Sequence, residues 1–331
     1  MLNRCVTLII FFILFIAFYF EARADIYKCV SEDGTTEYKT QPCSVQDVEE
    51  VIKSQNSPQE SPTGIEEPYD ITDLIEPEED AINLEIITNR YKFSRNEMKS
   101  INNGVDFLYN YYKQIFDYEG NVEITMRIFG KEKDFFNYQK KHINKVFSTA
   151  GIFISRIDEG AVNGSMSRKR VISTLLHECS HAILRKKTSN VPRWINEGLA
   201  EYFETMSATN EKIVVDYQKH RYRDLIRWRS EGSLIPLREY VSLNSSAWIE
   251  IERQHDEITR TMAWSIIHYL MSTELGQKSL VRLIREFNER RDLKPVQLVN
   301  ANIEGGLKKL ESKWLKYISS PPTIHTYKPF N

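Results

Sequence analysis

The stretch His177-Glu178-Cys179-Ser180-His181 decides the fold predicted for this 331-residue chain, because it has the pattern H-E-x-x-H inside a segment with helical periodicity. At 3.6 residues per turn, two histidines four positions apart lie about 40° apart around a helix and about 6 Å apart along it. Both imidazoles can therefore reach one metal ion. This is the geometry of zinc ligands on a helix, with Glu178 beside them as a candidate general base.

The rest of this helix, predicted for residues 171–186, indicates which face packs against the protein. Apolar residues recur with helical spacing on the side opposite to the two histidines: Ile172, Leu175, Leu176, Cys179 and Ile183. We expect this stripe to be buried, the histidine face to look outward, and Cys179 to be a small packing residue rather than a ligand or nucleophile. A surface helix with these residues by chance is the alternative, so a third ligand is needed.

A second amphipathic helix is predicted to begin just after Pro192. One face carries glutamates and the other carries apolar residues: Glu197, Glu201 and Glu204 against Ile195, Leu199 and Tyr202. Alone, such an acidic face is typical of a solvent-exposed helix. Next to H-E-x-x-H, it favours a metal site.

The two motifs, H-E-x-x-H at 177–181 and N-E-G-L-A-E at 196–201, resemble those of the gluzincin zinc metallopeptidases, most closely the bacterial peptidase MA-like proteins. The resemblance covers mainly residues 171–205. It implies an α+β, zincin-like domain, in which a small sheet and the metal-site helices are followed by an α-rich C-terminal lobe.

The same resemblance implies a role for each residue of the site. Zinc would be held by His177, His181 and Glu197, leaving a fourth coordination position open as in catalytic sites. Glu201 would be an outer carboxylate that steadies a ligand histidine. Glu178 would take the proton of a zinc-activated water during hydrolysis of a peptide bond.

One element of the resemblance has no match in this chain. Relatives often carry a tyrosine before Ala-Trp in a later helix, where this chain has R-T-M-A-W at 260–264. The donor that would stabilise the transition state is therefore unassigned. His255, His268 and Tyr269 are candidates, although each residue type is more often found in packing or surface positions.

The N-terminus has the pattern of a secretory signal peptide, predicted for residues 1–24. Arg4 precedes an apolar run over residues 6–20, and Ala-Arg-Ala at 22–24 fits a cleavage site. The run is shorter than the 18 or more apolar residues typical of a membrane span, so an uncleaved anchor is the weaker alternative. The sequence predicts a periplasmic or secreted protein without a stable membrane span after cleavage.

Residues 25–45 are predicted to form a small β-hairpin module closed by a disulfide between Cys29 and Cys43. An Asp-Gly turn separates two runs rich in strand-forming residues. Export favours a bridge, and closing a loop of about fifteen residues contributes roughly 3 kcal/mol in the chain-entropy account. The pattern I-Y-K-C-x-x-x-D-G resembles a small domain of unknown function on exported Gram-negative proteins, which implies an envelope setting and no chemistry.

The remainder divides into a linker and one larger domain. Residues 46–80 are acidic, with four prolines and one lysine, which opposes a packed core. In residues 81–331 we predict strands and helices in alternation before the metal helix, and an almost wholly helical part after it. The predicted strands are 82–88, 122–129 and 151–157, and the predicted helices are 96–116, 133–142, 217–228, 257–271 and 277–290. By analogy with zinc peptidases, the last strand before the metal helix would be an edge that binds extended substrate.

The sequence also excludes several classes of protein. It has no phosphate-binding glycine loop, no G-x-S-x-G elbow and no nucleic-acid-binding motif around its basic clusters, and its formal net charge is -2. We expect an exported zinc peptidase that acts on a peptide or protein substrate, with cell-wall peptide crosslinks left open. The alternative is a non-catalytic envelope binding or scaffold protein that retains a zincin fold.

Overall fold

The computed structural model describes residues 26–30, 36–39, 48–52, 82–116, 121–188, 190–255 and 257–329. The strands within these ranges are β1 (Ile26–Val30), β2 (Thr36–Lys39), β3 (Val48–Ile52), β4 (Ile82–Asn89), β5 (Val122–Phe129), β6 (Gly151–Ile154), β7 (Glu159–Asn163), β8 (Met206–Ala208), β9 (Ile213–Val215) and β10 (His325–Tyr327). The helices are α1 (Arg95–Phe116), α2 (Glu132–Ile143), α3 (Arg168–Lys187), α4 (Arg193–Phe203), α5 (Lys219–Ser230), α6 (Leu237–Tyr240), α7 (Ser245–Gln254), α8 (Ile258–Met271), α9 (Glu274–Glu289), α10 (Pro295–Asn302) and α11 (Gly306–Tyr317). The fold is therefore mixed α+β, with small sheets and many helices.

The main sheet has the strand order β3-β1-β2-β4-β5-β7-β6. Its centre is parallel, since β4 pairs with β5 and β5 pairs with β7 in the same direction, whereas the outer pairs are antiparallel. Alternate residues of β5, from Val122 to Ile128, are buried, because successive side chains point to opposite faces. One face of the sheet thus packs on the core that contains α1 and α3.

Helix α3 carries the H-E-x-x-H motif. It begins after Ser167, whose hydroxyl accepts a hydrogen bond from the Arg170 backbone N–H. The predicted apolar stripe is confirmed over most of its length, with Leu175, Cys179 and Ile183 no more than 1% exposed. The opposite face does not look out to solvent as expected, because helix α4 covers it and leaves the His177 residue 7% exposed.

The segment predicted as one strand over residues 151–157 is divided. Strand β6 ends at Ile154, a turn spans residues 155–158 with Asp158 at φ 58, and β7 follows. Asp tolerates this left-handed conformation better than most residues. The last strand before α3 is therefore β7, in the interior of the sheet, and the edge lies at β6. The expectation that the last strand forms the edge is wrong by one strand.

The part of the chain after α4 is almost wholly helical, as predicted. Helix α4 packs closely on α8, where a Cβ added to Gly198 would lie 2.8 Å from the Ala263 carbonyl oxygen and 2.5 Å from Ile267 Cγ1. Only glycine allows this approach without displacement. The close packing brings the acidic face of α4 and the first turn of α8 to the same side of the metal helix.

The three N-terminal strands continue the main sheet, since β2 pairs with β4. Strand β3 lies inside residues 46–80, so part of the predicted linker is a third strand of the hairpin module. The predicted signal peptide, Cys43 and residues 53–81 lie outside the described residues, so the predicted disulfide lies outside them too. Within the described ranges, none of the helices combines the length and the apolar character needed to cross a membrane.

Candidate metal centre

His177, His181 and Glu197 converge where α3 and α4 face each other. Each offers one ligand atom, and these three atoms lie within 4.8 Å of one another. The Nε2 atoms of the two histidines are 3.2 Å apart, and Glu197 Oε2 lies 3.9 Å from His181 Nε2. The structure thus brings together the three residues that the resemblance proposes as ligands.

The donor set fits a zinc ion. Two imidazole nitrogens face each other across 3.2 Å, and Glu197 Oε2 is buried without a well-formed hydrogen bond from the described residues. Without a metal, a proton on one imidazole nitrogen can bridge this pair, and a cation held by both nitrogens and the carboxylate would take its place. Two histidines and one carboxylate are a common zinc-binding set in catalytic sites.

The outer nitrogen of each histidine lies close to an oxygen atom, and the contact of His181 also has hydrogen-bond geometry. His181 Nδ1 lies 3.1 Å from Asn196 Oδ1, and His177 Nδ1 lies 3.2 Å from Glu204 Oε2. Glu204 is itself bound by Arg170 Nη1 at 2.8 Å. Such partners orient a ligand histidine so that its Nε2 faces the metal.

Glu204 thus lies beside a candidate ligand, as Glu201 does, to which the resemblance assigns the role of outer carboxylate. The sequence placed Glu204 on the acidic face of its helix but gave it no role. The available signal was its spacing, because a residue seven positions after Glu197 falls on nearly the same side of a helix.

Glu201 has different neighbours. It is 1% exposed, with Arg221 Nη2 at 2.9 Å, Gln218 Nε2 at 3.2 Å and Arg260 Nη1 at 3.4 Å. Burial alone would raise the pKa of Glu201, but the Arg221 guanidinium keeps this pKa well below its usual range. Glu201 is therefore an ionised carboxylate fixed in a buried hydrogen-bond network.

A second group that could hold a metal consists of His177, Glu201 and Glu204, whose ligand atoms also lie within 4.8 Å of one another. Both carboxylates of this group already have arginine partners at 2.9 Å or closer. The contacts of Glu197 are longer, with Arg260 Nη1 at 3.2 Å and Arg193 Nη2 at 3.8 Å. The set with His181 and Glu197 therefore has the more available ligand atoms.

Glu178 lies next to this centre on α3 and is 5% exposed. Burial raises its pKa to about 7, the range in which a carboxylate can accept and return a proton at neutral pH. The backbone of β6 packs directly against it, since a Cβ added to Gly151 would lie 2.7 Å from Glu178 Oε1. Glu178 thus lies between the proposed ligands and the edge strand.

The pKa values of the three proposed ligands are shifted in different directions. Burial alone would lower the pKa of His177, but the carboxylates of Glu204, Glu201 and Glu178 raise it to about 9. Burial lowers the pKa of His181 to about 4. Burial would raise the pKa of Glu197, but mainly the Arg260 guanidinium lowers it to about 2. A metal that binds here displaces a proton from His177, as ligand binding requires the neutral imidazole.

Arg260, at the start of α8, is another residue to which the sequence alone assigns no role. Its Nη1 lies 3.2 Å from Glu197 Oε2, and its Nε lies 3.1 Å from Glu252 Oε1. By contrast, His255, His268 and Tyr269 are absent from the described lining of the cavity beside the site. His268 is buried with its Nδ1 2.9 Å from Tyr317 Oη. None of the three suggested donors therefore faces the site.

A cavity of about 450 Å³ lies over this centre. Strand β6 forms one wall, and residues of α3, α4, α5 and α8 form the others. The proposed ligands, Glu178 and Arg260 all line it. The cavity thus brings together a group of side chains that could hold a cation, the buried carboxylate of Glu178 and the backbone of an edge strand.

Comparisons with known proteins give limited similarity. Residues 171–296 match the family described as "Protein of unknown function (DUF1570)", and residues 21–63 match "Domain of unknown function (DUF4124)". A search of curated proteins finds no match.

Among solved structures, the chain is similar to an M1 zinc metallopeptidase from Deinococcus radiodurans, with a TM-score of 0.32 and 12% identity. A mutant of an enzyme with the same description and organism gives a TM-score of 0.34 at 12% identity. A two-domain M1 zinc metallopeptidase mutant bound to L-arginine gives a TM-score of 0.34 at 11% identity. In each comparison 76% of this chain covers 51% of the other, so the chain spans about half their length. Similarity this low assigns neither a family nor a chemistry to this chain.

Proposed function

We propose that this chain is an exported zinc-dependent peptidase. The observation that carries the proposal is the convergence of His177, His181 and Glu197 within 4.8 Å, with the buried carboxylate of Glu178 beside them on α3. These are the parts that metal-assisted hydrolysis of a peptide bond requires: a site for zinc, an open coordination position and a general base.

Each side chain has a distinct task in this mechanism. His177, His181 and Glu197 would hold zinc, which would supply a Lewis acid for the scissile carbonyl and for the attacking water. Glu178 takes the proton of the attacking water and passes it to the leaving amine. Asn196 and Glu204 orient the ligand histidines through their Nδ1 atoms. The edge of β6 lines the cavity and offers backbone groups to an extended peptide.

The cellular setting is part of the same proposal. Cleavage after residue 24 would release the chain into the periplasm of a Gram-negative cell or to the outside, where Cys29 and Cys43 would form a disulfide. The substrate would then be a peptide or protein of that compartment, with cell-envelope material included. The hairpin module is assigned no chemistry.

One observation favours the non-catalytic alternative. Arg260 Nη1 lies 3.2 Å from Glu197 Oε2, so a cation already neutralises the proposed third ligand. In a binding or scaffold protein, this ion pair would replace the metal. In a peptidase, Glu197 would bind zinc while Arg260 stays close to Glu201 and Glu252.

Metal analysis combined with a cleavage screen distinguishes the two functions. The protein purified from the periplasm is expected to contain one zinc per chain and to cleave members of a mixed library of quenched fluorescent peptides. Removal of the metal by a chelator should abolish cleavage, and added zinc should restore it. A protein that takes up no zinc would rule out the peptidase in favour of the scaffold.

A further inference from the structure

The charged residues of the cavity are not evenly paired. Five arginines and five glutamates line it. Three arginines each lie within 3.2 Å of a carboxylate: Arg170 with Glu204, Arg221 with Glu201, and Arg260 with Glu197. The other two, Arg185 and Arg193, have no carboxylate closer than 3.8 Å in the described part of the chain.

Each glutamate of the lining, in contrast, has either an arginine contact or a role in the proposed function. Glu197, Glu201 and Glu204 are held by the arginines just named, and Glu257 lies 3.0 Å from Arg221 Nη1. Glu178 is the proposed base. Among the described residues of the lining, no carboxylate is left to bind the amino end of a peptide, whereas two guanidinium groups retain capacity for an anion. A zinc ion in the site would add further positive charge to this lining.

The two available arginines lie on the same side of the proposed metal. Arg185 follows His181 by four residues on α3, and Arg193 precedes Glu197 by four residues on α4. Each is therefore one turn from a proposed ligand, in the direction of the connection that joins the two helices. Both arginines line the cavity, so they lie at the end of the cleft nearest the connection between α3 and α4.

Neither arginine is engaged in a strong pairing that a ligand would have to break. Arg185 is exposed and forms no ion pair with the described residues. Arg193 has a side chain 20% exposed, and its guanidinium carbon lies 6.0 Å from the ring centre of the buried Trp248. The aromatic ring fixes the direction of Arg193 while leaving its N–H groups for an acceptor.

From this pairing, we propose that the cleft binds a substrate carboxylate through Arg185 and Arg193, beside the proposed metal. Four residues of helix rise about 6 Å, which is the length of about two residues of extended peptide. The carboxylate would thus belong to a residue at most about two positions from the scissile bond. Its source would be the free C-terminus of a peptide or the side chain of Asp or Glu. This inference rests on the proposed function, whose site it extends.

Calorimetric binding of matched peptides tests the proposal without requiring turnover. The zinc-loaded Glu178→Gln protein is titrated with N-acetylated alanine tetrapeptides that end in a carboxylate or in a carboxamide. A third peptide ends in a carboxamide and has Glu as its last residue. We expect the free acid to bind at least about tenfold more tightly than the plain amide, as for a charge-assisted hydrogen bond. Higher affinity of the Glu amide over the plain amide would identify the side chain as a source.

Arg185→Gln and Arg193→Gln, each with bound zinc measured, should reduce the preference for the acid by about tenfold and leave amide binding nearly unchanged. Lys186→Gln is the matched control, since this neighbouring lysine lies outside the described lining and contacts Asp158. It should leave all affinities unchanged.

Three results would overturn the inference: equal affinities for acid and both amides, a preference that survives both arginine substitutions, or no binding of any peptide. None of these decides the proposed function, which is judged separately by zinc content and by cleavage of blocked peptides in the library. If the protein cleaved the library peptides but bound the acid and the amides with equal affinity, the carboxylate site would be ruled out and the proposed peptidase function would stand.

Discussion

At the scale of single residues, Glu178 is the side chain on which the proposed chemistry depends. It is 5% exposed, and burial raises its pKa to about 7. Because its carboxylate is not among the proposed ligands, its task and metal binding can be separated by substitution. The β6 backbone at Gly151 packs directly against Glu178. A side chain at position 151 would therefore clash with the Glu178 carboxylate.

We predict that Glu178→Gln retains zinc and loses activity by a factor of about 10² to 10⁴, the usual contribution of a general base. The amide is nearly the same size as the acid, so packing should be preserved. Zinc content by mass spectrometry and cleavage of a library substrate are the two measurements. Full activity in this variant would contradict the mechanism.

Glu204 and Glu201 should give different phenotypes. Glu204 is 3.2 Å from His177 Nδ1, so Glu204→Gln should weaken zinc binding by about 10 to 100-fold. Glu201→Gln would remove one of the two carboxylates that contact the buried Arg221 and leave only that of Glu257, which should destabilise the fold by about 1–3 kcal/mol. Chelator competition and denaturant unfolding measure the two effects. If Glu201→Gln weakened zinc binding more than Glu204→Gln did at equal stability, the outer carboxylate would be Glu201, as the family resemblance implies.

At the scale of secondary structure, the sequence predicts those helices and buried faces that have a clear hydrophobic periodicity. The apolar stripe of α3 and the amphipathic helices α5, α8 and α9 are predicted to within about three residues of their observed bounds, whereas α6, α7, α10 and α11 are not predicted individually. Residues 151–154 are apolar and Ile157 is apolar again, and no glycine, proline, asparagine or aspartate stands between them, so the pattern alone does not reveal the turn after Ile154. Arg260 and Glu204 were missed because their importance comes from contacts between helices, which no local pattern contains.

The C-terminal strand β10 is tied to the helices by a cluster of buried aromatic residues. His325 Nδ1 lies 2.7 Å from Tyr202 Oη on α4, and the His325 ring centre lies 4.3 Å from that of His268 on α8. Burial lowers the pKa of His268 to about 3 and that of His325 to about 4. Both imidazoles are therefore neutral in the folded chain at neutral pH.

This cluster predicts a loss of stability in acid. Folding lowers the pKa of His268, so its contribution is fully present above the unfolded pKa of about 6.5 and is lost as the pH falls toward about 3. The free energy of unfolding should fall by up to about 1.4 kcal/mol per pH unit from this residue, and by less from His325, which lies nearer to solvent.

Urea unfolding of His268→Gln between pH 7 and pH 4 should show a shallower dependence on pH than the natural chain. The exposed His220 offers a control, since His220→Gln should leave the dependence unchanged. An equal dependence in His268→Gln would show that the histidine cluster does not control the acid limit.

At the scale of the whole molecule, the metal should not be what holds the chain folded. The face of α3 opposite to the ligands is buried in a core that continues through α1, α4 and α8. A domain of about 250 residues buries enough apolar surface to be stable by itself. Metal binding and folding are therefore separable.

We predict that His177→Ala loses zinc while circular dichroism remains that of the folded chain. His181→Ala distinguishes the two possible ligand sets, because only the set with Glu197 contains this residue. Loss of zinc in both variants supports His177, His181 and Glu197 as ligands. Zinc lost in His177→Ala but kept in His181→Ala would assign the metal to Glu201 and Glu204 instead. The surface variant His220→Ala should behave as the natural chain.

The cysteines report on the compartment of the whole chain. After cleavage at residue 24, three remain: Cys29, Cys43 and Cys179. Cys179 is free and 0% exposed, and burial raises the pKa of its thiol. Protein from the periplasm, unfolded without reduction, is therefore expected to show one reactive thiol, and the folded protein none.

The variant Cys179→Ser should show none in either state, and reduction of the natural chain should raise the count to three. Three reactive thiols before reduction would mean that Cys29 and Cys43 are not bridged, and the prediction of export would lose its support from the cysteines.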